Sequence, residues 1–213
     1  MLDILIPTMR PERMDSIYKN LRESTKLNFK LFFILEAEDF EHYKNLKRNY
    51  HIILNKGSKS YTGAINSAYK QVSSEYFFTG ADDLVFHLNW LENAMPLLNK
   101  GCEVVGTNDL LNRYVKAGQH ATHFFVKRSY IENVGGVIDN SYPVLYEYNH
   151  NYCDTEFIET AKKRGVFYPC LSSIVKHNHY TVGRSKFDSV YKKSNETKEI
   201  DKKKYEERSL LWK

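Results

Sequence analysis

The stretch "FFTGADDLVFHLNWLENAM", residues 77–95, decides how the chain is read. Phe77 and Phe78 end an apolar run and look like the close of a buried strand, after which two carboxylates, Asp82 and Asp83, follow almost at once. A bare carboxylate beside buried aromatics is costly unless a cation or hydrogen bonds compensate it. Water, the first turn of a following helix or a divalent metal could meet those oxygens, and an amphipathic segment does open around Trp90. Strand, acids, then helix is one β-then-α unit.

The same unit recurs on either side. "LDILIP" reads as a buried first strand ended by Pro7, and "PERMDSIYKNLREST" as a helix with Pro11 at its start and Met14, Ile17, Tyr18 and Leu21 at helical spacing. "FKLFFILEAED" is a second strand running into acids, "FEHYKNLKRN" a short helix and "YHIILNKG" a third strand. "YTGAINSAYKQV" fits a helix, "EYFFTG" the fourth strand and "CEVVGT" a fifth. Strands and helices alternating at this interval predict an α/β fold with a parallel, doubly wound sheet. Beyond Thr107 the pattern loosens. "LNRYVKAGQHATHFFVKRSYIENVGGVID" predicts a hairpin or bent strand pair around Gly118 and a short helix ended by Gly135 and Gly136. "YCDTEFIETAKKRG" is a further helix, and "VFYPCLSSIVKHNHY" holds one or two more strands.

With 42% hydrophobic and 27% charged residues the chain has the composition of a soluble globular protein, and no apolar run approaches the roughly 20 residues a bilayer span needs. The first residues have no basic region and no small-residue cleavage site, so they read as a strand rather than a signal peptide. Cys102, Cys153 and Cys170 lack disulfide or zinc spacing and favour a reducing compartment, with the cytoplasm as default. We expect one domain over residues 1–183 and a polar loop with a basic helical tail over 184–213, peripheral and anchored by Leu210, Leu211 and Trp212. The net charge is +5, and "YKKSNETKEIDKKKYEERSLLWK" holds eight basic and five acidic residues, a weak pointer to an anionic partner against the plainer reading of a solvated helix.

In an open parallel sheet, ligands bind beyond the carboxyl ends of the strands. That rule gathers Pro7, Thr8 and Arg10 after the first strand, Glu36, Glu38 and Asp39 after the second, Lys56 to Ser60 after the third, and Asp82 with Asp83 after the fourth. The acid pair suits Mg²⁺ or Mn²⁺, which bridge one or two carboxylates to substrate phosphates, or else complements the dipole of the next helix. His177 and His179 lie two apart, so on a strand both rings face one way and either could complete a metal site or be structural. Asp154 and Glu156 open a helix, where an acid serves as cap or, at a cleft rim, as a proton acceptor.

These stretches resemble glycosyltransferase family 2, the inverting enzymes of the GT-A fold. "ILIPTMRPERM", "NKGSKSYTGAINSAY", "YFFTGADD" with "NWL", "NVGGVID", "YCDTEFIETAKKRG" and "VKHNHY" stand in the family's order and spacing, over residues 1 to about 180. The resemblance implies a Rossmann-like, mostly parallel sheet with helices on both faces and a small antiparallel portion in the acceptor half. It implies a nucleotide diphosphate sugar donor, uridine being the commonest nucleotide, with Thr8, Arg10 and Glu36 or Glu38 at the nucleoside. Asp82 would hold the divalent cation with His177 or His179, Asp83 sharing it. Gly80 stands where the family's motif begins with an aspartate, and Cys153 where it usually has a glutamate before the base. Asp154 would be that base, and Gly135 and Gly136 would lie against the acceptor side. Pro7, Lys59, Asn66 and Glu156 are further candidate substrate contacts, and Arg184 and Lys186, in a loop after the histidines, are candidates for closing over the phosphates.

Such small enzymes include viral ones that decorate hydroxymethylated bases, which makes DNA one candidate acceptor beside a carbohydrate or lipid-linked one. A nucleotidyltransferase should carry a glycine-rich loop after the first strand, and "PTMRPERM" has no glycine. A non-catalytic polyanion-binding module would bind with a steep salt dependence and no turnover.

Overall fold

Strand β1 (Leu2–Pro7) is apolar toward both faces, as a central parallel strand must be. The computed structural model describes residues 1–139 and 143–212, and in it β1 pairs in parallel with β2 (Phe29–Leu35) on one side and β4 (Tyr76–Thr79) on the other. Period-two alternation sends Leu2, Ile4 and Ile6 to one core and Leu5 to the second. Asp3, buried in the same strand, accepts from Ser74 Oγ at 2.7 Å and from the backbone of Ser74 at 2.8 Å and Ser73 at 3.2 Å, which compensates its burial.

The first core lies under α1 (Met14–Ser24) and α4 (Trp90–Asn99), where Trp90 packs on Phe78, Phe86 and Phe125. The other lies under α3 (Tyr61–Tyr69), α6 (Arg128–Val134) and α7 (Cys153–Lys163), with Phe124 stacked on Phe157 at 4.5 Å between centroids. The edge strand β3 (His51–Leu54) follows α2 (Ala37–Tyr43), which begins earlier than the sequence expectation because β2 stops at Leu35.

Among the described residues the sheet runs β3-β2-β1-β4-β7-β6-β8-β5, with β5 (Leu84–Phe86), β6 (Val104–Asn108), β7 (Phe124–Lys127) and β8 (Phe167–His177). β7 runs antiparallel to β4 and β6, and β5 antiparallel to β8, giving the small antiparallel portion beside a mostly parallel sheet. Of the hairpin or bent strand pair expected around Gly118, the antiparallel pair β6 and β7 does flank the glycine, but through a wide connection and not a tight hairpin. One helical turn, α5 (Arg113–Lys116), stands there, capped by Asn112, and Gly118 follows it in the left-handed conformation glycine favours.

The tail is not peripheral. Helices α8 (Ser189–Glu196) and α9 (Lys198–Arg208) fold back on the domain through buried polar contacts. Asp201 is fully buried and accepts from the backbone N–H groups of Asn149, His150 and Asn151, and Arg208 pairs with the buried Glu156 at 2.5 Å. Of the three expected anchors only Trp212 is buried, while Leu210 and Leu211 are 77% and 44% exposed.

Candidate active site

The carboxyl ends of β1, β2 and β4, the end of β8, the start of α7 and one side of α8 enclose a cleft of about 300 Å³. Pro7, Thr8, Arg10, Glu36, Lys59, Asp82, Asp83, Asp154, His177 and His179 all line it. The strand-end rule therefore places most of the expected constellation together.

The acid pair answers its own question in two ways. Asp82 is turned back toward β1: it accepts from Thr8 Oγ1 at 2.7 Å and Met9 N at 3.2 Å and is paired with Arg10. Arg10 is buried, spans from Asp82 to Asp188 at 2.9 Å, and carries the Tyr191 ring 4.9 Å away. Both carboxylates lift its pKa above the ordinary arginine range, against the pull of burial. Asp82, expected as a metal ligand, thus has protein partners on both oxygens, while it still lines the cleft. The same pairing joins Arg10 to two carboxylates at the edge of the cleft it lines.

Asp83 faces the cleft. The short strand β5 begins at the next residue and pairs Leu84 with His177, and this register brings His177 Nε2 to 3.2 Å from Asp83 Oδ2. Tyr191 donates to the same oxygen at 2.9 Å. Asp83 Oδ1 and His123 Nε2 are both buried with no hydrogen-bond partner among the described residues. Burial works to raise the Asp83 carboxyl, but the bond and charge of His177 outweigh it and hold it well below the usual range. His177 is raised in turn by Asp83, against burial. Burial and the nearby His177 push His123 down to about 4.

An orphaned carboxylate oxygen beside an imidazole is a fitting pair of donors for Mn²⁺ or Mg²⁺. Among the described residues no group of three or more histidine, cysteine, aspartate or glutamate side chains is arranged to hold an ion, so other ligands must come from substrate or water. His179 is not part of that pair. β8 ends at His177, and His179 instead caps the next turn, its Nδ1 2.8 Å from Thr181 Oγ1.

Asp154 stands in the first turn of α7 with Oδ1 accepting from Thr155 N at 2.8 Å and Oδ2 3.1 Å from His120 Nε2. Burial would raise its carboxyl, but His120 outweighs it and lowers the pKa. It lines the cleft as a carboxylate, in position to accept a proton.

Asp39, Lys56, Gly57 and Ser58, gathered by the strand-end rule, lie off the cleft lining, and so do seven further candidates. Glu38 is exposed and paired with Lys59 at 2.7 Å. Asn66 is spent on the backbone of Leu145, donating at 2.8 Å and accepting at 3.0 Å. Glu156 is fully buried and bound by Arg208 and Tyr148. Gly135 caps α6 with φ of 70°, and Gly136 passes so close to Val144 that a Cβ would sit 1.8 Å from its carbonyl oxygen. The first ends a helix and the second allows a close backbone approach. Arg184 donates to the carbonyls of His177 at 3.2 Å and Leu110 at 3.0 Å, so it holds the loop, and Lys186 is exposed. Gly80 has its own reason: a Cβ there would meet Ile6 Cγ1 at 3.0 Å and Leu5 O at 3.2 Å.

Sequence reasoning passed over His120, His123, Tyr61, His150 and Tyr191. The spacing of His120 and His123 in "QHATHFF" was the available signal; nothing local marks Tyr191, which reaches Asp83 across 108 residues.

No protein-family model matches the sequence, and no curated protein matches it significantly. Solved structures do. The chain is similar to the mannosyltransferase PcManGT from Pyrobaculum calidifontis in complex with GDP-Man and Mn²⁺, at TM-score 0.58 and 13% identity over 83% of this chain and 56% of that one. It is similar to S. aureus TarS at TM-score 0.56 and 14% identity, over 82% of this chain and 59% of that one. A third likeness is to glucosyl-3-phosphoglycerate synthase from Mycobacterium tuberculosis in complex with Mn²⁺, UDP and phosphoglyceric acid, at TM-score 0.60 and 9% identity, over 84% and 71%. The chain thus spans little more than half the length of the first two. At such identities the likeness is one of architecture, and the chain has the GT-A fold that these glycosyltransferase structures share.

Proposed function

We propose that the chain is a glycosyltransferase that moves a sugar from a nucleotide diphosphate sugar to an acceptor hydroxyl by a single inverting displacement. One observation carries the reading: Asp83 with His177, Asp154, Glu36 and the turn after β1 converge on one cleft at the carboxyl edge of a GT-A sheet. The nucleotide-bound neighbours, one with GDP-Man and one with UDP, support a donor of this class.

Pro7, Thr8, Ile34 and Glu36 form the end of the cleft suited to the nucleoside, with Asn55 holding Glu36 at 2.9 Å. Asp83 and His177 would hold Mn²⁺ or Mg²⁺, which supplies charge neutralisation for the departing diphosphate. Asp154 takes the proton from the acceptor hydroxyl as its oxygen bonds to the anomeric carbon and the bond from that carbon to the diphosphate breaks. Tyr191 and Tyr61 close the walls, and Lys193 adds positive charge at the α8 side.

UDP-sugars are the first donors to test. Thermal unfolding with UDP, GDP or ADP, each with and without Mn²⁺, should show one nucleotide raising Tm by about 5–10 °C at a hundredfold excess over Kd. The Mn²⁺-dependent part should vanish in Asp83→Asn and His177→Ala. No stabilisation by any of the three, with or without the metal, would refute the reading. Exposed Lys192, Lys193, Lys198, Lys202 and Lys203 on α8 and α9 favour an anionic acceptor, hydroxymethylated DNA being the case to test against carbohydrate or lipid-linked ones. Binding to such DNA that does not weaken with salt counts against it. The three cysteines are free, which suits a reducing cytoplasm.

A further inference from the structure

His120 lies in the segment between α5 and β7, outside the cleft lining, yet its Nε2 is 3.1 Å from Asp154 Oδ2. Both side chains are largely enclosed, 10% and 25% exposed. The backbone that presents His120 is fixed on three sides. Ala121 is fully buried against Gly106 of β6, where a Cβ on the glycine would meet the Ala121 methyl at 2.6 Å. Thr122 donates to Asp109 Oδ2 at 2.9 Å, and His123 Nδ1 lies 3.0 Å from the Thr79 carbonyl oxygen. A backbone fixed this firmly, with the ring itself only 10% exposed, keeps His120 beside the carboxylate.

Asp154 needs such a partner. Its Oδ1 is tied to the first turn of α7 through Thr155 N, a contact that leaves the carboxylate free to pivot about that oxygen. The bond from His120 to the other oxygen removes the pivot. The charged groups around His120 are Asp154 and Glu159 from α7 and Asp109 from the loop after β6, and His123 faces Asp154 from β7's approach.

We propose that His120 is the positioning residue for Asp154: the N–H donated by Nε2 to Oδ2 fixes the carboxylate with its remaining lone pairs toward the cleft. The proposal rests on Asp154 being the base. His120 lies outside the cleft lining, so it acts through Asp154. The proton leaves the acceptor hydroxyl for Asp154 as the new bond to the anomeric carbon forms and the diphosphate departs. The arrangement raises kcat by orientation, while the donor, bound elsewhere in the cleft, is unaffected.

Two measurements test it. The first needs no turnover: imidazole ¹⁵N NMR of the full chain follows His120, whose pKa should fall in Asp154→Asn because the carboxylate that raises it is gone. An unmoved titration overturns the contact. The second uses whichever of UDP-glucose and GDP-mannose the wild type consumes, with transfer to water as the readout. His120→Leu should lower kcat by about 10- to 100-fold, with donor KM within about twofold, and His120→Gln, which keeps an N–H at the same reach, should recover most of the loss. Circular dichroism and Tm of each variant show whether it is folded. Equal kcat in all three proteins, or a loss that Gln does not restore in a folded variant, overturns the proposal. Unchanged turnover in Asp154→Asn removes the base and the proposal with it. Absence of nucleotide binding by the wild type refutes the functional reading separately, because the NMR result stands apart from it.

Discussion

Asp201→Asn is the sharpest probe of how the tail joins the domain. Asp201 Oδ1 accepts from Asn149 N at 2.8 Å and Asn149 Nδ2 at 3.0 Å, and Oδ2 from His150 N and Asn151 N, each at 2.9 Å. Asparagine keeps one oxygen, so whichever way its amide turns, one pair of donors faces an NH₂ group. Hydrogen bonds to a charged group contribute about 1.5–3 kcal/mol each, so losing two costs about 3–6 kcal/mol. Sparing the desolvation of a buried carboxylate offsets part of that, leaving a net loss of about 3 kcal/mol. For a chain of this length that corresponds to a Tm drop of about 6–12 °C. Urea unfolding followed by the fluorescence of Trp90 and Trp212 gives the loss directly, with an unchanged slope on denaturant showing that the same surface unfolds. Asn149, His150 and Asn151 line the cleft just before Asp154, so nucleotide affinity should fall as well, measured where both proteins are folded. A stability loss below about 1 kcal/mol would refute the claim that α9 is an integral part of the domain.

The remaining predictions concern one histidine and one glycine. His123 sits buried and neutral with a pKa of about 4 against an ordinary 6.5, so the unfolded chain binds its proton first as pH falls. Stability from this group is full above pH 6.5 and declines toward pH 4 by about 3 kcal/mol; the difference between wild type and His123→Gln across that window isolates it from His120 and His177, whose raised values act in the opposite sense. A pH-independent difference would show that His123 titrates normally. Gly136→Ala should destabilise by about 2–3 kcal/mol through the clash with Val144, while activity per folded molecule stays unchanged. Altered acceptor selectivity with unaltered stability would return Gly136 to the acceptor side.

The first half of the fold is legible because its signals are local. "LDILIP" and "YFFT" are unbroken apolar runs that only a buried strand accommodates, and Met14, Ile17 and Leu21 repeat at helical spacing. Asp154 at a helix start and the strand-end acids follow from the same kind of reasoning. What escaped is set by register and by distance along the chain. "LVF" after the acid pair is too short to call alone, yet its pairing with β8 decides that Asp83, and not Asp82, meets His177. The Arg10 partner Asp188 is 178 residues away, and Glu156 is claimed by Arg208 across 52. No local pattern records which acid a distant arginine will choose. Gly136 illustrates the reverse case, since a glycine fits both a ligand wall and a backbone crossing until the Val144 carbonyl is in view.

The bridge from Arg10 to Asp188 also has a meaning for synthesis. A ribosome delivers the turn after β1 early and α8 late, so for most of translation the Arg10 guanidinium lacks its second carboxylate, just as the N–H groups of residues 149–151 wait for Asp201. The nascent protein cannot finish its cleft until those late acids emerge. Completion of the pocket is therefore a late event in the synthesis of each molecule.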